Sequence, residues 1–137
     1  MHLQRQAYSS LSPRQKEAHN FQKISALLAD FGYSTTRLWD DTNGADFVAI
    51  HADGKMLYKI QLKGRVVFNK KYKGKDLWIA FREEDAIYIF PHDDILDTVL
   101  STGKIMHGTS SWEDKGEYSF KTLSAWFRPL IEKYKIC

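Results

Sequence analysis

The sequence predicts an α/β fold, a central β-sheet flanked by helices. Three observations predict it: an amphipathic run that opens after Ser12, two pairs of β-type runs each closed by a tight polar turn, and a helical stretch near the end. The 137 residues suit one domain spanning 1–137. Hydrophobic residues make up 43% and charged residues 27%, with 8 Phe, 7 Tyr and 4 Trp, which excludes a disordered chain, a collagen-like repeat and a charged tail.

Ser12 is a natural helix cap, and Pro13 is preset for the first helical position. Phe21, Ile24, Leu27, Leu28 and Phe31 then recur on one helical face until Gly32 ends the run. Ser34 to Leu38 reads as a strand, Asp40 to Gly44 as a turn and Asp46 to His51 as a second strand. Asp53-Gly54 follows at once and is a hairpin signal, so Met56 to Lys63 should fold back antiparallel on Asp46 to His51. Leu77 to Phe81 and Ala86 to Phe90 form a second hairpin around the acidic turn Arg82 to Asp85. Pro91 introduces a short helix over His92 to Leu100, Ser101 to Glu117 reads mostly as loop, and Leu123 to Tyr134 as a closing helix.

The net charge is only +3, but it is unevenly placed. Residues 63–75 hold Lys63, Arg65, Lys70, Lys71, Lys73 and Lys75 with no acid, which leaves the rest of the chain slightly acidic. A local basic strip suits a polyanion met at one place, nucleic acid first; a solvated lysine loop is the alternative. The one cysteine, Cys137, allows no internal disulfide and no zinc-thiolate cluster, so a reducing compartment is expected. No apolar run approaches the ~20 residues of a membrane span, and the first residues lack the apolar stretch of a secretory signal. The expected location is the cytoplasm, with no membrane partner.

With Asp53-Gly54 at the hairpin tip, Asp46 faces Gln61. Opposed residues share a face with Cβ atoms about 4.5–5.5 Å apart, and the diagonal neighbour, Lys63, lies about 7–8 Å away. A one-residue slip would break this pairing. The pattern therefore brings a carboxylate, an amide and an ammonium to one end of the sheet. Such a set suits phosphodiester hydrolysis, because a divalent ion needs hard oxygen ligands, here Asp46 and the amide oxygen of Gln61. Lys63 beside the attacking water would offset charge developing on phosphorus. Taken singly, Lys63 is one more lysine and Asp46 a strand cap. Glu17 falls within about 40° of Phe21, Ile24 and Leu28 on a helical wheel of ~100° per residue. Two placements stay open for it: beside Lys63 or the metal, or in water, favouring the helix dipole. Lys59 shares the face of Gln61 and Lys63 and either meets phosphate or only flanks the hairpin.

The stretches GADFVAI (44–50), HADGK (51–55), YKIQLKGR (58–65), DLWIAF (76–81) and AIYIFP (86–91) resemble the core of the PD-(D/E)XK nuclease superfamily, over about residues 14–91. Within it the chain most resembles the small branch of intron-homing endonucleases, in which glutamine replaces the motif's second acid. Archaeal-type Holliday junction resolvases are similar in outline but keep the acid. The resemblance implies a restriction-endonuclease-like core, a mixed central β-sheet flanked by helices, and a DNA endonuclease dependent on Mg2+ or Mn2+. It implies Asp46 as the metal-binding aspartate, Gln61 as the second metal-site position, Lys63 as the catalytic lysine and Glu17 as the extra acid of the first helix. Two departures stand out. Neutral Gln61 should hold a metal more weakly than a carboxylate would, and an inactive DNA-binding or assembly module is the alternative function. Residues 64–75 read as strand and loop where the superfamily core usually has a helix, which agrees with the homing branch.

Lys70, Lys71 and Lys73, interleaved with Phe68 and Tyr72 and followed by Lys75, are the pattern expected beside a DNA backbone, with Arg65 able to read a guanine edge. Histidines 2, 19, 51, 92 and 107 form no spaced ligand pair and read as structural or surface residues. Trp112, Trp126, Phe127 and Tyr134 should pack the last helix; exposed, they would instead make a homodimer face.

Overall fold

A computed structural model describes residues 1–39, 44–104 and 109–136. Residues 40–43 of the expected turn, His107 and Cys137 lie outside the described residues. Helix α1 (Pro13–Asp30) begins with a capping box: Ser12 Oγ accepts from the Gln15 N–H, and Gln15 Oε1 accepts from the Ser12 N–H at 2.8 Å. Such a cap is worth about 1 kcal/mol. The helix stops at Gly32, whose φ of +87° suits glycine and where a Cβ would meet His51 Nε2 at 2.9 Å.

Strands β1 (Tyr33–Arg37), β2 (Phe47–His51), β3 (Leu57–Lys63), β5 (Leu77–Glu83) and β6 (Ala86–Pro91) form one sheet in the order β1-β2-β3-β5-β6. The β2–β3 hairpin has Phe47 opposite Ile60 and Val48 opposite Lys59. Its tip is pinned by Asp53, whose Oδ1 accepts from the N–H groups of Lys55 at 2.8 Å and Met56 at 3.2 Å. Those two bonds hold its carboxyl below the usual aspartate range. The β3–β5 pair is parallel and every other pair antiparallel, so the sheet is mixed. Parallel neighbours need a crossover. Here it contains β4 (Val67–Asn69) and a 3-10 turn at Lys70–Tyr72 in place of a helix.

The alternation of side chains along the strands gives the sheet a core on each face. Ile24 and Leu28 of α1 pack on Phe47, Ala49, Ile60 and Leu62. On the other face Ile79, Phe81 and Phe90 meet α2 (His92–Thr102) through Ile95, Leu96 and Val99, and the C-terminal third through Trp112, Phe127 and Ile131. The short α3 (Ser110–Glu113), inside the stretch expected to be mostly loop, precedes β7 (Glu117–Ser119), which pairs with β4, a strand within the expected strand and loop of 64–75, in a second sheet. The expected closing helix over 123–134 is also corrected: only α4 (Arg128–Ile131) and a 3-10 turn at Glu132–Tyr134 form. Pro129 explains the break, since a proline is tolerated only in a helix's first turn. Among the described residues no helix is long and apolar enough to cross a membrane.

Candidate active site at the end of the sheet

Asp46 sits just before β2, fixed on both sides by the backbone. Its N–H donates to Ile60 O at 2.8 Å, and its carbonyl accepts from the Leu38 N–H at 2.9 Å. Its Oδ2 accepts from the Leu62 N–H at 2.8 Å, which turns the carboxylate across β3. Gly44 permits this close approach. At its φ of +83° a Cβ would stand 2.8 Å from Leu77 Cδ1 and 3.1 Å from Tyr72 Cδ1. Gly44→Ala is therefore expected to destabilise the protein by about 1–3 kcal/mol and to displace Asp46; the shift of the urea midpoint measures it.

The paired register ends at Phe47–Ile60; beyond it the Asp46 N–H donates to Ile60 O, and Asp46 and Gln61 line the same cleft. Gln61 is only 6% exposed, and its Oε1 is buried without a hydrogen-bond partner. An unpaired buried acceptor costs about 1–3 kcal/mol. Lys63, half-buried at the end of β3, places Nζ 5.5 Å from the centre of the Tyr72 ring. Tyr72, which is 1% exposed, also carries Lys71 Nζ at 5.4 Å and packs against the Gly44 backbone position. This one buried ring thus supports both the lysine and the turn that delivers Asp46.

Asp46, Gln61, Lys63 and Glu17 line one cleft of about 410 Å³, together with Asn20 and Tyr8. The helical wheel left open whether Glu17 is buried. Its side chain is 51% exposed and accepts from Arg37 Nη2 at 2.8 Å, while the polar residue buried on that face is Asn20, at 6% exposure. Glu17 lies in the first part of α1, where β1 offers Arg37 as a partner. Such an exposed pair is worth about 0.2–1 kcal/mol, too little to lock the carboxylate away from a stronger ligand.

Lys59 lies on the strand bearing Gln61 and Lys63 but does not line the cleft. Arg65, Lys70, Lys71 and Lys73 are exposed and Lys75 is half-buried. The aromatics between them are a correction: Phe68 and Tyr72, 0% and 1% exposed, are core residues and face no surface. The apolar spacing of the strip is that of β4 and its turn packing inward. Trp112 and Phe127 are also buried, so they belong to the core and form no open face.

The basic crossover is pinned to α2 by His92, which is fully buried. Its Nε2 accepts from the Asn69 N–H at 3.2 Å, and its Nδ1 faces Asp93 Oδ1 at 2.8 Å. Asp93 Oδ2 accepts from the Gly74 N–H at 2.9 Å. The Asn69 bond requires an unprotonated Nε2, and burial pushes the His92 pKa below 6.5 despite Asp93. Because the folded value is the lower one, the unfolded chain takes the proton first. Stability is complete above the unfolded value and is lost as pH falls from 6.5 toward the folded one. The expected slope is up to about 1.4 kcal/mol per pH unit. Urea midpoints between pH 7.5 and 5 should show this slope in wild type and a shallower one in His92→Gln.

Among the described residues no three His, Cys, Asp or Glu side chains cluster as a metal site. The donors that converge are oxygens: one carboxylate, one orphaned amide oxygen and, at the cleft rim, Glu17. That set fits a hard cation such as Mg2+ or Mn2+ and does not fit a thiophilic metal.

No family model matches the sequence and no curated protein is significantly similar to it. Among solved structures, a bacterial homing endonuclease aligns with a TM-score of 0.53 at 20% identity, covering 91% of this chain and 87% of that one. The chain shares the fold of that endonuclease. The alignment reaches well past residues 14–91 into the C-terminal third, which the motifs left unmatched. The Holliday junction resolvase Hjc of the archaeal hyperthermophile Archaeoglobus fulgidus overlaps less, with a TM-score of 0.45 at 14% identity, over 56% of this chain and 72% of that one. At such identities the likeness is one of architecture.

Proposed function

We propose that this nuclease-fold chain is a metal-dependent DNA endonuclease of the PD-(D/E)XK type, in the branch with glutamine at the second acid position. The observation that carries this reading is the convergence of Asp46, Gln61, Lys63 and Glu17 on one cleft, with Gln61 Oε1 unpaired. Asp46 and Gln61 hold Mg2+ or Mn2+, and Glu17 assists once released from Arg37. A divalent ion there supplies Lewis-acid polarisation of the phosphate and a more acidic water. Lys63 orients that water against the phosphorus and offsets the charge that develops on the phosphoryl oxygens. Lys59, Arg65, Lys70, Lys71, Lys73 and Lys75 grip the DNA backbone, which makes affinity steeply salt-dependent. In a plasmid-nicking assay with Mg2+ or Mn2+, wild type is expected to relax supercoiled DNA and Asp46→Ala to be slower by about 100-fold or more. Equal nicking by the two proteins overturns the assignment.

A second reading, a catalytically silent DNA-binding module, is favoured by the neutral Gln61 and by the engagement of Glu17 with Arg37. It expects salt-sensitive DNA binding with no cleavage in either metal. Gain of nicking by Gln61→Glu from a silent wild type decides for it.

A further inference from the structure

Three buried side-chain polar atoms among the described residues have no hydrogen-bond partner: Asn20 Oδ1, Gln61 Oε1 and Ser124 Oγ. Two of the three belong to residues on the wall of the cleft that holds Asp46 and Lys63. Each such carbonyl is a cost to the fold while it stays unpaired. Asn20 lies one helical turn after Glu17, so the two project from neighbouring positions on α1. Its amide is not free to rotate: Nδ2 donates to Tyr8 Oη at 2.9 Å, which leaves Oδ1 as the unsatisfied end. Tyr8 is itself braced, with Lys16 Nζ 5.4 Å and the Arg82 guanidinium 5.1 Å from its ring centre.

We propose that Asn20 is a positioning residue of the metal site, its Oδ1 accepting a hydrogen bond from a water bound to the ion held by Asp46 and Gln61. The inference rests on the metal-site reading above and adds to it a residue that neither the motifs nor the resemblance singles out. The chemistry argues for a hydrated cation. Mg2+ and Mn2+ keep several of their waters when bound by few protein ligands, and those waters donate strongly and need acceptors. An anionic phosphate oxygen has no reason to approach a carbonyl. Both oxygens are unpaired and belong to residues of the cleft wall, so an ion held there, or its water, is the partner that a small shift of either side chain would bring within reach. Tyr8 fixes which end of the amide faces that partner, as outer hydrogen bonds do at other metal sites.

The test is Mn2+ titration of the full chain without DNA, following free Mn2+ by electron paramagnetic resonance, with the melting temperature of each variant recorded. Asn20→Leu, similar in size but without the acceptor, is expected to weaken Mn2+ binding about 10–100-fold. Asn20→Asp, which keeps an oxygen there, should bind at least as tightly as wild type. Tyr8→Phe keeps the exposed ring and loses only the hydroxyl; it should weaken binding several-fold and decides the matter if Asn20→Leu fails to fold. Wild-type Mn2+ affinity in Asn20→Leu, or in Tyr8→Phe when that variant must decide, overturns the role of Asn20. If Asp46→Asn weakens binding in the same series, the metal site itself stands. Equal affinity of Asp46→Asn and wild type overturns the metal-site reading and this inference together.

Discussion

Replacing Lys63 by alanine is expected to lower the rate of DNA cleavage by about 10²–10⁴-fold while leaving DNA affinity within a few-fold of wild type. The two quantities separate because different residues supply them. Lys63 stands at the end of β3 on the cleft wall, half-buried, with its ammonium over the Tyr72 ring. A fixed charge in that position acts on the charge appearing at phosphorus, which exists only in the transition state. On the proposed function, affinity comes instead from the exposed cations of the crossover, Arg65, Lys70, Lys71 and Lys73, none of which lines the cleft. Lys63→Arg should recover little, because a planar guanidinium on a longer stem does not reproduce a compact ammonium. Single-turnover cleavage beside fluorescence anisotropy measures both terms. Cleavage by Lys63→Ala at the wild-type rate would remove this residue from the mechanism.

What the sequence disclosed was local, and the physics explains where it stopped. The Asp53-Gly54 tip sets its own register through bonds within five residues, so the pairing of Phe47 with Ile60, beside Asp46 and Gln61, follows from arithmetic along the chain. The cap at Ser12 and the stop at Gly32 are likewise written in adjacent residues. The β4–β7 pair was not legible, because Phe68 meets Tyr118 across fifty residues and neither strand exceeds three residues. Period-two patterning needs more length than that to show. The break of the expected last helix was legible in Pro129 and was overridden by the apolar spacing around it. Asn20 and Tyr8 were not legible for another reason. An asparagine on an apolar helix face carries no motif, and its importance appears only when its partners can be counted. The one signal was the polar residue itself, sitting among Phe21, Ile24 and Leu28 on the face that packs against the sheet.

Phe68→Ala is expected to destabilise the protein by about 3–5 kcal/mol, the range for emptying a fully buried aromatic site. Phe68 is 0% exposed and its ring lies 6.1 Å from Phe90, 5.7 Å from His92, 6.1 Å from Phe120 and 6.1 Å from Phe127. It therefore ties the sheet, α2 and the C-terminal third to the crossover strand β4. These elements approach from several sides, so none of them can close the void without leaving another contact. Against a total stability of about 5–15 kcal/mol this is a large share, and the melting temperature should fall by roughly 10–20 °C. The same substitution separates two accounts of the basic strip. Were Phe68 a surface aromatic set among DNA-binding lysines, alanine would weaken DNA binding and shift stability by less than about 0.5 kcal/mol. As a core residue it does the reverse. Urea denaturation should show a large drop in midpoint, and DNA affinity measured well below the new midpoint should change little, because Lys70, Lys71 and Lys73 remain on the surface.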